Sequence, residues 1–307
     1  LLVKVCLEHL VFVYLTETDL QLRFEREKLL DKDKRQSLRR QRLKTSCLNR
    51  SRQEIIPPGS DVNGLPRHIF SHVIVDDENR FLYCEIPKVA SSNWKRVLMT
   101  LSGHTRSPWN VKTRDIHNKS RSYFRYLNEY SASEIVVRLK TYYKFLFVRD
   151  PFERLASAYR NKFVESYNMT FFERTYGRYI IRKFRTNLSR SSKISFKEFI
   201  NYILDGKSEV MNTHWQLYDE LCRPCLVSYD FIGHLEDIRK DSTVLLKILG
   251  LEDRVAFPLN FSSNYTVPSS TLMQKYFTEL PRLYKQRLYN KYRHDFEMFS
   301  YSKSINI

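Results

Sequence analysis

Seven glycines are spread over 307 residues. No G-x-x-x-x-G-K-[ST] occurs among them, which excludes a Walker-type nucleotide loop. Long apolar runs are missing too. Residues 1–15 are apolar but broken by Lys4, Glu8 and His9, and they fall short of the roughly 20 residues a spanning helix needs. The chain does not begin with methionine, so this stretch is read either as a truncated signal-anchor remnant or as an ordinary amphipathic helix. Acidic residues are outnumbered, 34 against 52 basic ones, for a formal net charge of +18. Such an imbalance points to an anionic partner: nucleic acid, a membrane surface, or an acidic polysaccharide or nucleotide. Nucleic acid is disfavoured by a further shortage, because the basic cluster at residues 32–42 holds no aromatic ring on which bases could stack. Repeats at solenoid periods are absent.

What is present suffices for a large core, with 42% hydrophobic and 14% aromatic residues. Asn49, Asn118, Asn168, Asn187, Asn260 and Asn264 each begin an N-glycosylation sequon; six of them lean towards the secretory pathway. Residues 16–66 are read as a charged stem and linker. Residues 16–52 suit a solvated helix or flexible stem, and Pro57, Pro58, Gly59, Asn63, Gly64 and Pro66 mark the clearest linker. Residues 67–307 form the globular part.

Within it, residues 81–86 read as a strand, preceded by Val73, Ile74 and Val75 as the other arm of a hairpin. A short turn, Pro87 to Ser91, leads into a helix whose apolar face is Trp94, Val97, Leu98 and Leu101. Ser91 or Ser92 suits the N-cap. Strand, tight turn and helix start present backbone N–H groups to an anion, and Lys88, Lys95 and Arg96 add positive charge. The pattern recurs. Residues 143–148 are a strand ended by Arg149; Asp150 suits an N-cap, Pro151 the first helical position, and Glu153 a capping box. Phe152, Leu155, Tyr159 and Phe163 form that helix's buried face, with Arg154, Arg160 and Lys162 assigned to the exposed side. Two such units suggest a parallel α/β sheet with a ligand at the strand carboxyl ends. Between them, residues 104–122 read as polar and irregular, ahead of a capped helix from Ser131. Later helices are expected over residues 196–204, 237–249 and 283–299.

Ile86-Pro87-Lys88-Val89-Ala90-Ser91-Ser92-Asn93-Trp94-Lys95-Arg96 resembles the 5′-phosphosulfate motif of the Golgi carbohydrate sulfotransferases, in the branch of the HNK-1, GalNAc-4 and chondroitin/dermatan 4-O-sulfotransferases. Phe147 to Arg160 resembles that branch's 3′-phosphate motif, and the likeness extends over most of residues 68–301. It is nearest to the chondroitin 4-O-sulfotransferases. The resemblance implies a sulfotransferase-type, P-loop-like central parallel sheet flanked by helices. The donor it implies is 3′-phosphoadenosine-5′-phosphosulfate (PAPS), with no metal required. Pro87, Lys88, Val89, Ala90, Ser91, Ser92 and Asn93 would then bind the 5′-phosphosulfate, with Lys88 also catalytic at the leaving oxygen. The second donor-binding segment would be Arg149, Asp150, Pro151, Phe152, Glu153, Arg154, Leu155, Ala156 and Ser157, where Arg149 and Ser157 grip the 3′-phosphate. The family's motif has Cys where this chain has Ser91. If that Cys is normally bridged, its partner here, Cys47 or Cys84, must do otherwise.

The acceptor hydroxyl needs a base that titrates near neutrality, so histidine comes first. His117 lies between the two motifs and is the first choice, His214 the second; His104 shares the interval with His117. Cys222 and Cys225 read as a local disulfide or structural pair, since a zinc site would lack ligands. The expected function is sulfuryl transfer from PAPS to a sugar hydroxyl, position 4 of GalNAc in chondroitin or dermatan. The partners are then an acidic glycosaminoglycan or GalNAc-bearing glycan and, through an N-terminal anchor, the Golgi membrane, with a lumenal domain. The rivals are an inactive glycosaminoglycan-binding protein on the same fold and a nucleotide kinase. The segments expected to read the acceptor are residues 104–122 and 170–193.

Overall fold

A computed structural model describes residues 2–5, 13–31, 33–48, 66–165, 169–186, 193–206, 211–259 and 267–302. Its elements run β1 (Leu2–Val5), β2 (Val13–Thr16), α1 (Glu17–Asp31), α2 (Lys34–Leu48), β3 (Val73–Asp76), β4 (Phe81–Cys84), α3 (Ser91–Leu101), α4 (Thr113–Tyr123), β5 (Arg125–Tyr126), α5 (Ala132–Thr141) and β6 (Tyr143–Val148). They continue with α6 (Pro151–Tyr159), α7 (Met169–Phe172), α8 (Arg178–Phe184), α9 (Phe196–Asp205), α10 (Tyr218–Cys222), α11 (Pro224–Val227), β7 (Phe231–His234), α12 (Ile238–Leu249), α13 (Ser269–Thr278) and α14 (Arg282–Met298). The chain divides into two compact units. One holds residues 1–148 and 218–262, the other residues 149–217 and 263–307.

The first unit is built on a five-stranded sheet of order β5-β3-β4-β6-β7. β4 pairs in parallel with β6, and β6 with β7; β3 is antiparallel to both β4 and β5. The sheet is thus mixed, with β3 alone running against the others, because the hairpin turn at residues 77–80 is too short for a parallel crossover. All six residues of β6 are buried, as expected of a strand covered on both faces. Trp94 from α3 packs its ring within 5.2 Å, centroid to centroid, of Phe145, Phe147 and Phe257. Gly233 of β7 sits opposite Phe147; a Cβ there would come within 2.2 Å of the Phe147 ring, so only glycine admits that aromatic.

α2 departs from the expected solvated helix or flexible stem, whereas most described side chains of α1 are exposed. Gln36 is fully buried and exchanges two hydrogen bonds with the Ile232 backbone, accepting from its N–H and donating to its carbonyl, both at 3.0 Å. It pairs with edge strand β7 as another strand would. Arg35 and Arg39 bind Asp241 and Asp237 around it. Two disulfides join distant segments: Cys47 to Cys225 and Cys84 to Cys222. The local Cys222–Cys225 bridge does not form; each partner reaches across the fold instead. Neither Cys47 nor Cys84 is left waiting for the missing cysteine at position 91.

Further expectations are revised. Residues 2–5 and 13–16 pair as antiparallel strands, not as a helix. The stretch read as irregular carries α4. Among the described residues no helix is long and apolar enough to cross a membrane. The sequons at Asn49, Asn168, Asn187, Asn260 and Asn264 and the linker at residues 57–65 lie outside the described residues, as does the side chain of Asn118.

The second unit is helical. Its core gathers Phe152, Leu155, Phe163, Phe199, Phe277 and Phe296 with Trp215. Trp215 is wholly buried, ringed by Phe163, Phe172, Tyr176 and Phe199. α6 passes directly into a π-helical turn, Arg160–Val164.

Candidate functional site

The first unit carries the turn at residues 87–90. Lys88 and Ala90 both adopt left-handed backbone, φ 74° and 63°, although neither is glycine; such conformations are costly for a Cβ-bearing residue and cluster at functional sites. Ala90, rather than Ser91 or Ser92, is the N-cap of α3. No side chain caps it, and the first turn holds no acidic residue. The positive end of α3 therefore has no carboxylate of its own. Val89 and Ile86 are buried and pin the turn from beneath, while Pro87, Lys88, Ser91 and Ser92 are part-exposed.

Lys95 and Arg96, expected to add positive charge beside the turn, are instead tied to neighbouring side chains and backbone. Lys95 forms an ion pair with Glu85. Arg96 is 1% exposed; it donates to Asn93 Oδ1 at 2.8 Å, to the Val111 carbonyl at 3.1 Å and to Thr113 Oγ1 at 2.8 Å. Burial lowers its pKa to about 10. Asn93 in turn donates to the Pro258 carbonyl at 3.0 Å. Arg96 thus fastens the start of α4, the helix on which His117 lies, to the helix that follows the turn; the His117 side chain is outside the described residues. His104, exposed, contacts Ser102 Oγ at 2.8 Å through Nδ1 and packs against Tyr123.

The second unit carries the other motif. Asp150 caps α6, accepting from the Phe152 and Glu153 N–H groups at 2.9 and 3.0 Å, with Pro151 at the first position. Glu153 does not close a capping box. It turns back to Arg149, accepting from Nε at 3.2 Å and from Nη2 at 2.8 Å. The two motifs therefore differ: α3 begins uncapped, whereas α6 begins with its N–H groups already used. Arg154, Arg160 and Lys162 are buried, not exposed. Arg154 donates to the carbonyls of Gln216 and Thr213 at 2.6 and 2.8 Å, and Arg160 to that of Val267 at 2.8 Å. Phe152, Leu155 and Ala156 are core residues, and Ser157 is 7% exposed.

His214 also lies in this unit, part-buried. Asn212 Oδ1 accepts from the His214 backbone N–H at 3.1 Å and lies 2.6 Å from Nδ1. The backbone donor identifies that atom as the amide oxygen, so Nδ1 carries the proton and Nε2 the lone pair. Asn212 is held by the Tyr176 hydroxyl at 3.0 Å. Sequence reasoning passed over Asn212, although an Asn two residues ahead of a His is the pattern of an Asx turn. Among the described residues no cluster of His, Cys, Asp or Glu could hold a metal ion.

The strands that lead into the two motifs are neighbours: β4 and β6 are parallel, in register from Phe81 opposite Tyr143 to Cys84 opposite Leu146, and end at one edge of the sheet. The sulfotransferase family model matches residues 71–302.

The chain belongs to the sulfotransferase family.

Its relatives place this sulfotransferase among the carbohydrate sulfotransferases. Carbohydrate sulfotransferase 11 of Rattus norvegicus is 40% identical over 241 residues, covering 75% of this chain and 67% of that protein. Carbohydrate sulfotransferase 8 of Mus musculus is 38% identical over 250 residues, covering 78% and 58%. Carbohydrate sulfotransferase 12 of Mus musculus is 34% identical over 304 residues, covering 90% and 71%. No solved structure matches the chain. Sulfotransferases of this kind draw their sulfuryl group from PAPS, and each motif, taken within its own unit, suits an anion. The uncapped α3, with Lys88 in the turn before it, fits an anionic group; Arg149, its fork oriented by Glu153, and Ser157 fit a second by side chain.

Proposed function

We propose that this sulfotransferase moves a sulfuryl group from PAPS to the 4-hydroxyl of GalNAc in chondroitin or dermatan, in the Golgi lumen. The observation that carries the reading is the glycine-free turn with two left-handed residues ahead of an uncapped helix, on a strand parallel and adjacent to the one ending at Arg149. When bound, PAPS supplies an activated sulfuryl group with a phosphate leaving group. The amides of residues 89–92 and the Ser92 hydroxyl hold the 5′-phosphosulfate, with Pro87, Ser91 and Asn93 shaping the turn. Lys88 neutralises charge on the bridging oxygen as the S–O bond breaks, an electrostatic stabilisation that works best in a site shielded from water. Arg149 and Ser157 hold the 3′-phosphate, and Asp150, Pro151 and Glu153 fix the frame that presents Arg149.

The acceptor hydroxyl gives its proton to a histidine. His117 is the first choice, on a helix that Arg96 ties to α3; His214, with its lone pair set on Nε2, is the second. Both donor and growing polysaccharide are polyanions, which gives the +18 charge a purpose in capture. Incubation with labelled PAPS and chondroitin tests the reading. Label should enter the polymer with the wild type and fall by at least about a hundredfold with Lys88→Ala. Steep, salt-dependent binding of chondroitin without transfer would instead favour an inactive glycosaminoglycan-binding protein.

A further inference from the structure

Among the described residues, one buried lysine of the helical unit has no counterion. Lys162 lies in the π turn that continues α6 and is 7% exposed. Its ammonium sits 4.6 Å from the centroid of the Phe172 ring, and among the described residues no carboxylate or carbonyl binds it. Five other cations of this unit contrast with it: Arg149 has Glu153, Lys183 has Asp205, Arg185 has Glu198, and Arg154 and Arg160 have carbonyls. Burial without a counter-charge brings the Lys162 pKa down to about 8. A charge kept this way costs free energy that an incoming anion would return.

Phe172 places the lysine in context. His214 meets the same ring at 5.7 Å, nearly perpendicular to it, and Phe171, next in the chain, is 60% exposed and packs edge-on against Phe172 at 5.4 Å. The exposed Phe171 ring, one residue from the ring that carries the buried cation, suits a pyranose carrying an acid. Lys162 is eleven residues beyond Pro151, roughly 16 Å along the axis at α-helical rise, but only five beyond Ser157, so the test below separates an acceptor contact from a donor-phosphate contact. We propose that Lys162 receives the hexuronate carboxylate of the acceptor polysaccharide and so positions the neighbouring sugar against the exposed ring of Phe171. This rests on the anionic-acceptor reading above.

The test compares unsulfated chondroitin with carboxyl-reduced chondroitin, using wild type, Lys162→Met, which keeps the stem on Phe172, and Lys162→Arg. Lys162→Met should raise KM for chondroitin about tenfold or more, the loss expected of one charge-assisted contact. KM for PAPS should stay within about twofold, the deficit should shrink at least about fivefold on the carboxyl-reduced polymer, and Lys162→Arg should restore most of the affinity. An equal deficit on both polymers, no deficit, or a raised KM for PAPS overturns the assignment; the last would mark a donor-phosphate contact. If wild type transfers nothing to chondroitin, the acceptor reading has failed independently. The comparison then moves to equilibrium binding of hyaluronan and heparosan oligosaccharides and their carboxyl-reduced forms. There, a Lys162→Met loss of affinity confined to the carboxylated forms sustains the role of Lys162, and its absence overturns it.

Discussion

Arg96 Nη2 donates to Thr113 Oγ1 at 2.8 Å, binding the first residue of α4 to the helix that follows the turn at residues 87–90. The same guanidinium, buried in the first unit, also holds Asn93 Oδ1 and the Val111 carbonyl. It explains how a polar segment becomes an ordered helix carrying a histidine: α4 has little apolar surface to bury, so its start is held by an arginine from outside.

Arg96→Met is therefore expected to lower kcat about tenfold or more and to destabilise the fold by about 2–4 kcal/mol, since it strands the Val111 carbonyl and the Asn93 amide. Thr113→Val removes one hydrogen bond and should cost roughly 1 kcal/mol. Urea denaturation beside steady-state kinetics checks both. If His117 is the base, Thr113→Val also lowers kcat with little change in KM for PAPS.

The Asp150 cap makes a second prediction. Asp150→Ala should cost roughly 0.5–2 kcal/mol of stability, and Asp150→Ser much less, because serine can accept from the same N–H groups. Glu153→Gln should leave the cap intact and instead loosen Arg149, raising KM for PAPS about threefold to tenfold. Thermal melts and donor titrations separate the two effects.

The disulfides enclose long loops, with sequence separations of 178 for Cys47–Cys225 and 138 for Cys84–Cys222. Replacing either pair should cost about 2–5 kcal/mol. Cys47→Ser with Cys225→Ser should also free α2 from β7, read as faster amide exchange at Ile232 and proteolysis within residues 33–48. Unchanged exchange there would mean that Gln36 and Asp241 suffice to hold the helix.

His234 supplies a pH dependence. Burial, reinforced by nearby Arg39, brings its pKa down to about 3, against an ordinary value near 6.5. Between these two values the unfolded chain binds more protons than the folded one, so stability falls as pH drops from about 6.5 towards 3. A His234→Gln variant should show a shallower loss over that window in denaturant titrations.

Much of this arrangement was legible in the residues. The β6 run from Tyr143 to Val148 is apolar enough to name a buried strand, and Ser131 with Glu134 forms the capping box their spacing suggests. Residues 81–101 and 143–159 fold as strand, turn and helix because each local preference agrees with the next. Long-range partners decided the rest. Arg154 looks solvent-facing by helical period, but carbonyls of residues 213 and 216 draw it inward. Cys222 and Cys225, close in sequence, bridge residues more than a hundred positions away. Ala90 adopts a backbone that propensity reserves for glycine, and Gln36 pairs with a strand from within a helix. None of these choices can be made from a window of ten residues.

The proposed transfer to GalNAc is read out by incubating the protein with labelled PAPS and chondroitin, depolymerising the polymer enzymatically and analysing its disaccharides. Label is expected in the unsaturated disaccharide bearing sulfate at position 4 of GalNAc, dependent on Lys88. Label at position 6, on the uronic acid, or in no disaccharide at all would contradict it.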